Sequence, residues 1–132
     1  MRILIADDNE RVRRAIIGMI SSETDWTFCG EASDVAEALR MARVLLPDLI
    51  LIDIRMPGLN GLEVSHVLRQ EVSTAKIVIM SQHDPVRLLP SAIEAGAHAC
   101  VDKGNLATDL LRTIESVAAR QSRTLSRDQA QS

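Results

Sequence analysis

The chain has 132 residues, 46% of them hydrophobic and 25% charged, an ordinary balance for one globular domain with a full apolar core. A formal charge of −3 and a pI near 5.6 leave no basic footprint for nucleic acid, so this stretch is not expected to bind DNA by itself. With Trp26 and Phe28 as its only aromatics, it also lacks the rings for base stacking or an aromatic-walled cofactor pocket.

Taken in chain order, five short apolar runs alternate with five stretches of helical period, the pattern of a doubly wound α/β domain. The start meets Asp7 and Asp8 too soon for a signal peptide, and no run approaches the ~20 apolar residues of a membrane span, so a cytoplasmic protein is expected. Strand 1 is Ile3 to Ala6. Helix 1 begins near Glu10, with Val12, Ala15, Ile16, Met19 and Ile20 on one face. Strand 2 covers Trp26 to Glu31, and Asp34 with Glu37 three residues on opens helix 2, whose inward stripe is Val35, Leu39, Ala42 and Leu45 or Leu46 before Pro47 stops it. Strand 3 is the unbroken run Leu49-Ile50-Leu51-Ile52, which reads as a strand buried on both faces and delivers Asp53 into the Pro57-Gly58 turn. Asn60 caps helix 3, which runs through Val64, Val67 and Leu68. Strand 4 is Lys76 to Met80, ending at Ser81. Helix 4 is expected to start late or kink, because Pro90 would remove a hydrogen bond from its interior, and to close at Gly96 in the left-handed C′ position. Strand 5 is His98 to Val101, and helix 5 runs from Asn105 with Leu106, Leu110, Ile114, Val117 and Ala118 inward. From Gln121 on the sequence is polar. Cys29 and Cys100 sit in different strands without CxxC spacing, which favours buried reduced thiols over a disulfide or a metal site. His66 and His98 read as surface residues, and Met41 and Met80 as core filler.

The polar residues at the strand ends carry the chemistry. Asp7 and Asp8 follow strand 1, Asp53 follows strand 3, Ser81 strand 4 and Lys103 strand 5. Parallel strands joined by right-handed crossovers point the same way, so these positions converge on the crevice at one edge of the sheet. Alone, Asp53 is equally well read as a loop cap; convergence changes that. Three clustered carboxylates repel unless a cation enters, and magnesium, which prefers hard oxygen ligands and retains waters for incoming phosphate oxygens, suits the set. A carboxylate can itself be a nucleophile toward phosphorus, with a lysine ammonium neutralising the transferring group. Only two of the fifteen basic residues are lysines, Lys76 and Lys103, and Lys103 lies at a strand end. The Ser81 hydroxyl could then bond a phosphoryl oxygen and draw its loop inward, a two-state switch.

Several separated segments, in order, are similar to the receiver domain of bacterial two-component response regulators. They are Ile3 to Asn9, Gly30-Glu31-Ala32, Pro47 to Gly58, Glu94-Ala95-Gly96-Ala97 and Val101-Asp102-Lys103; the likeness covers Arg2 to about Arg120. The resemblance implies a flavodoxin-like (CheY-like) five-stranded parallel sheet of order 2-1-3-4-5 with five helices. It implies that Asp53 is the phosphoacceptor, with Lys103 and Ser81 in the lysine and hydroxyl roles. Magnesium would be held by Asp8, Asp53 and the Arg55 backbone carbonyl, with Asp7 acting through water. A sensor histidine kinase is the implied partner, homodimer formation on phosphorylation is an expectation of the same kind, and no turnover of an external substrate is expected beyond the domain's own phosphorylation and dephosphorylation. The phrasing around Gly30 and Gly96 is most similar to receivers that precede a LuxR-type helix-turn-helix domain. The expected organisation is a receiver over 1–121 and a flexible tail or linker over 122–132, with DNA bound only through a domain beyond this sequence.

Three departures bear on output rather than chemistry. Cys100 stands where the family usually has a switch Tyr or Phe, Gly104 replaces a common Pro, and Pro90 interrupts helix 4. Arg55 and His83, two residues past the phosphoacceptor and the hydroxyl, occupy positions that tune phosphoryl lifetime in the family. A haloacid-dehalogenase-like phosphatase would need a second acid where Arg55 stands, and a flavodoxin-like redox protein would need a neutral phosphate loop where Asp7-Asp8-Asn9 stands. A pseudo-receiver scaffold that is never phosphorylated is the remaining alternative.

Overall fold

The computed structural model describes residues 1–56, 58, 60–72, 74–82 and 84–131, residues 120–131 as backbone alone. Its elements are β1 (Arg2–Ala6), α1 (Glu10–Ser21), β2 (Thr27–Ala32), α2 (Val35–Leu45), β3 (Leu49–Asp53), α3 (Gly61–Glu71), β4 (Lys76–Ser81), α4 (Pro85–Glu94), β5 (Ala99–Asp102) and α5 (Leu106–Gln131), with a 3-10 turn over Lys103–Asn105. All strand pairs are parallel and their order is β2-β1-β3-β4-β5, the doubly wound arrangement the alternation predicts.

Four of the five helices, α1 to α4, open on a capping side chain. The Asn9 side chain accepts from the Arg11 and Val12 N–H groups, Asp34 from Glu37, Asn60 from Leu62 and Glu63, and Asp84 from Val86. Each such bond satisfies an otherwise orphaned amide and contributes about 1 kcal/mol. α4 does not start late: it begins at Pro85, whose fixed φ suits the first helical position beside the Asp84 cap. Pro90 lies inside it and withholds the bond that Val86 O would accept, a loss that water can offset because Val86 is 75% exposed. Gly96 closes the segment at φ +102°.

Two apolar layers sandwich the sheet. Side chains alternate across a strand, so Leu49 and Leu51 of β3 join Ile3, Ile5, Ile16 and Ile114 on the α1–α5 side, while Ile50 and Ile52 join Leu4, Val35, Val64 and Ile77 on the side of α2, α3 and α4. Leu49, Ile50, Leu51 and Ile52 are all fully buried, each contributing about 1.5–3 kcal/mol by leaving water. Met41 packs at the margin of one layer and Met80 within the other. In the α2 stripe Ala38 takes a buried place, whereas Leu46, the C-cap at φ 48°, is 62% exposed.

His66 is exposed, as the sequence suggests, and His98 is half-buried, its ring taking part in the sheet rather than lying free on the surface. Its Nδ1 accepts from the Ile77 N–H at 3.0 Å while its own N–H donates to Ile77 O at 2.7 Å, so it closes the start of the β4–β5 ladder. Its role depends on the register of two strands, which sequence spacing does not reveal. Cys29 and Cys100 are free and half-buried. α5 continues as helix to Gln131, across the stretch read as a tail; Ala, Arg, Gln and Leu favour helix even without an apolar stripe. The Pro57 half of the turn after Asp53, and His83, lie outside the described residues.

Candidate functional site

The alternation that builds the two layers also builds the site. Run past the strand ends, the odd-numbered side of β1 and β3 carries from Ile3, Ile5, Leu49 and Leu51 to Asp7 and Asp53, and that of β5 from Val101 to Lys103. These three side chains meet. Lys103 Nζ lies 2.8 Å from Asp7 Oδ2 and 3.3 Å from Asp53 Oδ2. Asp7 is fully buried, Asp53 is 5% exposed, and Asp8 beside them reaches solvent. Carboxylate oxygens of Asp7, Asp8 and Asp53 lie within 4.8 Å of one another.

Backbone amides hold the acids in place. Asp7 Oδ1 accepts from the Asn9 N–H at 2.8 Å, and Asp53 Oδ1 from the Arg55 N–H at 3.2 Å. Asp7 Oδ2 makes no well-angled hydrogen bond among the described residues and relies on its ion pair with Lys103. Burial pushes the Asp7 carboxyl above its ordinary value despite the adjacent Lys103 ammonium and the Asn9 amide bond, and the neighbouring Asp53 charge pushes the same way. Burial disfavours the Lys103 ammonium, but the Asp7 bond and the charges of Asp53 and Asp7 outweigh it and raise its pKa. One ammonium against three carboxylates leaves the cluster acidic, and an all-oxygen donor set with an under-partnered buried Asp7 oxygen suits a hard divalent cation such as magnesium.

Above the cluster a pocket of about 200 Å³ is lined by Asp8, Asn9, Asp53, Ile54, Arg55, Gln82 and Lys103. Ser81 is buried at the end of β4, where it shares parity with Ile77 and Ile79 on the opposite layer; Gln82, rather than Ser81, lines the pocket. Arg55 contributes its amide to Asp53 and its exposed side chain to the rim. Sequence reasoning missed Asn9, Gln82 and the pair Arg13–Glu31. The pair bonds at 2.9 Å, and Arg13 Nη1 donates to Asp7 O at 2.7 Å.

The response regulator receiver domain family matches residues 3–115. The chain belongs to that family. This receiver is 36% identical over 117 residues to the nitrate/nitrite response regulator protein NarL of Escherichia coli, covering 89% of this chain and 54% of that protein. It is 34% identical over 119 residues to the transcriptional regulatory protein LiaR of Bacillus subtilis, covering 89% and 56% respectively. The chain thus spans about half the length of the curated relatives it matches. Among solved structures, a LuxR-family two-component response regulator from Aurantimonas superposes with TM-score 0.83 at 32% identity over 89% of this chain and 84% of that one. The signal receiver domain of the response regulator NarL from Mycobacterium tuberculosis superposes at 0.82 and 28% over 89% and 95%. The receiver is a signalling domain of the NarL/LuxR group of response regulators, and among its described residues no helix is long and apolar enough to cross a membrane.

Proposed function

We propose that this receiver is a phosphorylation-activated switch in which Asp53 accepts a phosphoryl group from a sensor histidine kinase. The observation that carries this reading is Lys103 Nζ bridging Asp7 and Asp53, at 2.8 and 3.3 Å, at the base of a pocket rimmed by Asp8 and Arg55. In the transfer, a carboxylate oxygen of Asp53 forms a bond to phosphorus as the bond between phosphorus and the donor breaks, and the electron pair leaves with the donor. The Lys103 ammonium stands beside Asp53 Oδ2, placed to neutralise the oxygens of the phosphoryl group as it arrives, and the Arg55 amide holds Oδ1 in orientation. The Ser81 hydroxyl then serves as hydrogen-bond partner to the new phosphoryl oxygens, which requires the β4–α4 loop to turn it from its buried position toward the pocket.

Asp8, Asp53 and the Arg55 carbonyl, with Asp7 through water, would hold magnesium, which when bound neutralises phosphoryl oxygens and the clustered carboxylates. Residues 1–121 would form the switch and 122–132 the tail or linker toward an effector. By analogy with relatives named as transcriptional regulators, the full protein would act in the cytoplasm on DNA through that effector and pair with a second copy when phosphorylated.

The test is incubation with magnesium and acetyl phosphate followed by intact-mass measurement. The wild type should gain one phosphoryl group and Asp53→Asn none. Absence of gain in the wild type would favour a scaffold that is never phosphorylated; an equal gain in Asp53→Asn would move the acceptor elsewhere.

A further inference from the structure

We propose that Arg13, anchored by Glu31, is the positioning residue for the Asp7–Asp8 pair; the inference rests on the magnesium-assisted reading above. Arg13 extends from α1 and only 12% of its side chain is exposed. Its Nε donates to Glu31 Oε1 at 2.9 Å and its Nη1 to Asp7 O at 2.7 Å. That carbonyl belongs to the peptide joining Asp7 to Asp8. The Asp7 N–H donates to Ala32 O at 3.0 Å and Asp7 Oδ1 accepts from the Asn9 N–H, so the residue is fixed at its amide, its carbonyl and its carboxylate. Fixing the plane of the Asp7–Asp8 peptide fixes the direction in which the exposed Asp8 side chain leaves the backbone.

The chemistry requires an arginine here. A guanidinium fork reaches two acceptors on different elements at once, one on β2 and one on the β1–α1 loop, whereas a lysine ammonium is a single point at the end of a flexible stem. Arg14 supplies an internal comparison: its Nη2 lies 3.1 Å from the same Glu31 oxygen, and the bond to Asp7 O is made by Arg13. Removing either arginine deletes the same charge, but only Arg13 acts on the peptide before Asp8.

The experiment titrates magnesium chloride alone into metal-free protein by calorimetry, for the wild type, Arg13→Lys, Glu31→Gln and Arg14→Ala, with acetyl phosphate labelling rates measured across magnesium concentration. Arg13→Lys and Glu31→Gln should each bind magnesium about ten-fold more weakly, as loss of a residue that orients a metal ligand does, with Arg14→Ala within about two-fold of wild type. Labelling at saturating magnesium should return to within about two-fold of wild type, because Asp53 and Lys103 are untouched. Glu31→Gln preserves volume at a partly exposed site, which keeps the test open should the Arg13 variant fold poorly. Magnesium affinities of Arg13→Lys and Glu31→Gln that match wild type, an equal loss in Arg14→Ala, or a labelling defect that saturating magnesium does not repair would overturn the proposal. A wild type that neither binds magnesium nor gains mass would instead defeat the reading on which it rests.

Discussion

At the amino-terminal edge of the sheet the chain closes on itself. The Asp48 N–H donates to Arg2 O, Lys76 to Asp48 O, Thr27 to Met1 O and His98 to Ile77 O, all between 2.7 and 2.9 Å, and the Asp48 carboxylate accepts from the Arg2 N–H at 2.7 Å. The Arg2 guanidinium reaches the last carbonyls of α2, at Leu45 and Leu46. At the carboxyl-terminal edge the same strands deliver three acids and one lysine, two of the acids buried, into a pocket of about 200 Å³. Among the described residues, one edge pairs these polar groups with one another, whereas the other gathers three carboxylates against one ammonium, and the difference separates groups that close the fold from groups that remain open to a ligand.

The largest expected effect lies at the carboxyl edge. Lys103→Met removes the only described cation within ion-pair distance of both Asp7 and Asp53, and the rate of phosphoryl gain from acetyl phosphate should fall on the order of a hundred-fold or more, as for loss of one preorganised electrostatic contact. A rate near wild type by intact mass would show that the cation is structural. The amino edge should answer in the opposite currency. His98→Ala leaves the Ile77 N–H without its side-chain acceptor, and urea unfolding should show a loss of about 1–3 kcal/mol with the labelling rate unchanged. A labelling defect in that variant would dissolve the distinction between the edges.

How much of this was legible in the sequence depended on whether a residue acts from its own strand or across several. The run Leu49-Ile50-Leu51-Ile52 marks a central strand but leaves Asp53 no better than a loop cap; it stands out only because parallel topology brings Asp7, Asp8 and Lys103 to the same edge. Ser81 was placed at the right edge, but the parity of β4, which sends it to the other layer, emerges only with the register. Arg13 sits among Arg11 and Arg14 on one helix, and nothing in its spacing distinguishes it until Glu31 is placed on the adjoining strand. Read as a helix breaker, Pro90 points to a late or kinked α4, whereas it withholds one bond at an exposed turn and the Asp84–Pro85 start prevails.

A smaller effect tests whether the carboxyl edge carries a cost to stability. Burial raises the Asp7 carboxyl's pKa, so holding it ionised at neutral pH opposes folding even with Lys103 nearby. Asp7→Asn keeps the shape without the charge and should stabilise the metal-free protein by about 1 kcal/mol in urea while weakening its gain in melting temperature from added magnesium. Destabilisation in the absence of metal would mean that the Lys103 pair more than offsets the burial, and that this edge is as self-sufficient as the other.

Cys100 lies between the edges, on β5 two residues from His98 and three from Lys103, and its expected effect is the smallest. Burial pushes its thiol up from 9.0 to about 11. Because the folded value is raised, the thiol's contribution to stability is fully present below the unfolded value of 9.0 and is lost as pH rises through about 11. The thiolate is the reactive form, so at pH 8 alkylation by iodoacetamide should run on the order of a hundred-fold slower than for the same thiol in the unfolded chain, climbing steeply up to about pH 11. Peptide mass mapping after timed labelling separates it from Cys29, whose thiol is also raised by burial. Phosphoryl loading of Asp53 adds the second readout. If the charged edge communicates along β5, loading should change the Cys100 alkylation rate and leave that of Cys29 alone. Equal rates for Cys100 before and after loading would confine the switch to the loops above the pocket, with the strand beneath them as rigid as the amino edge.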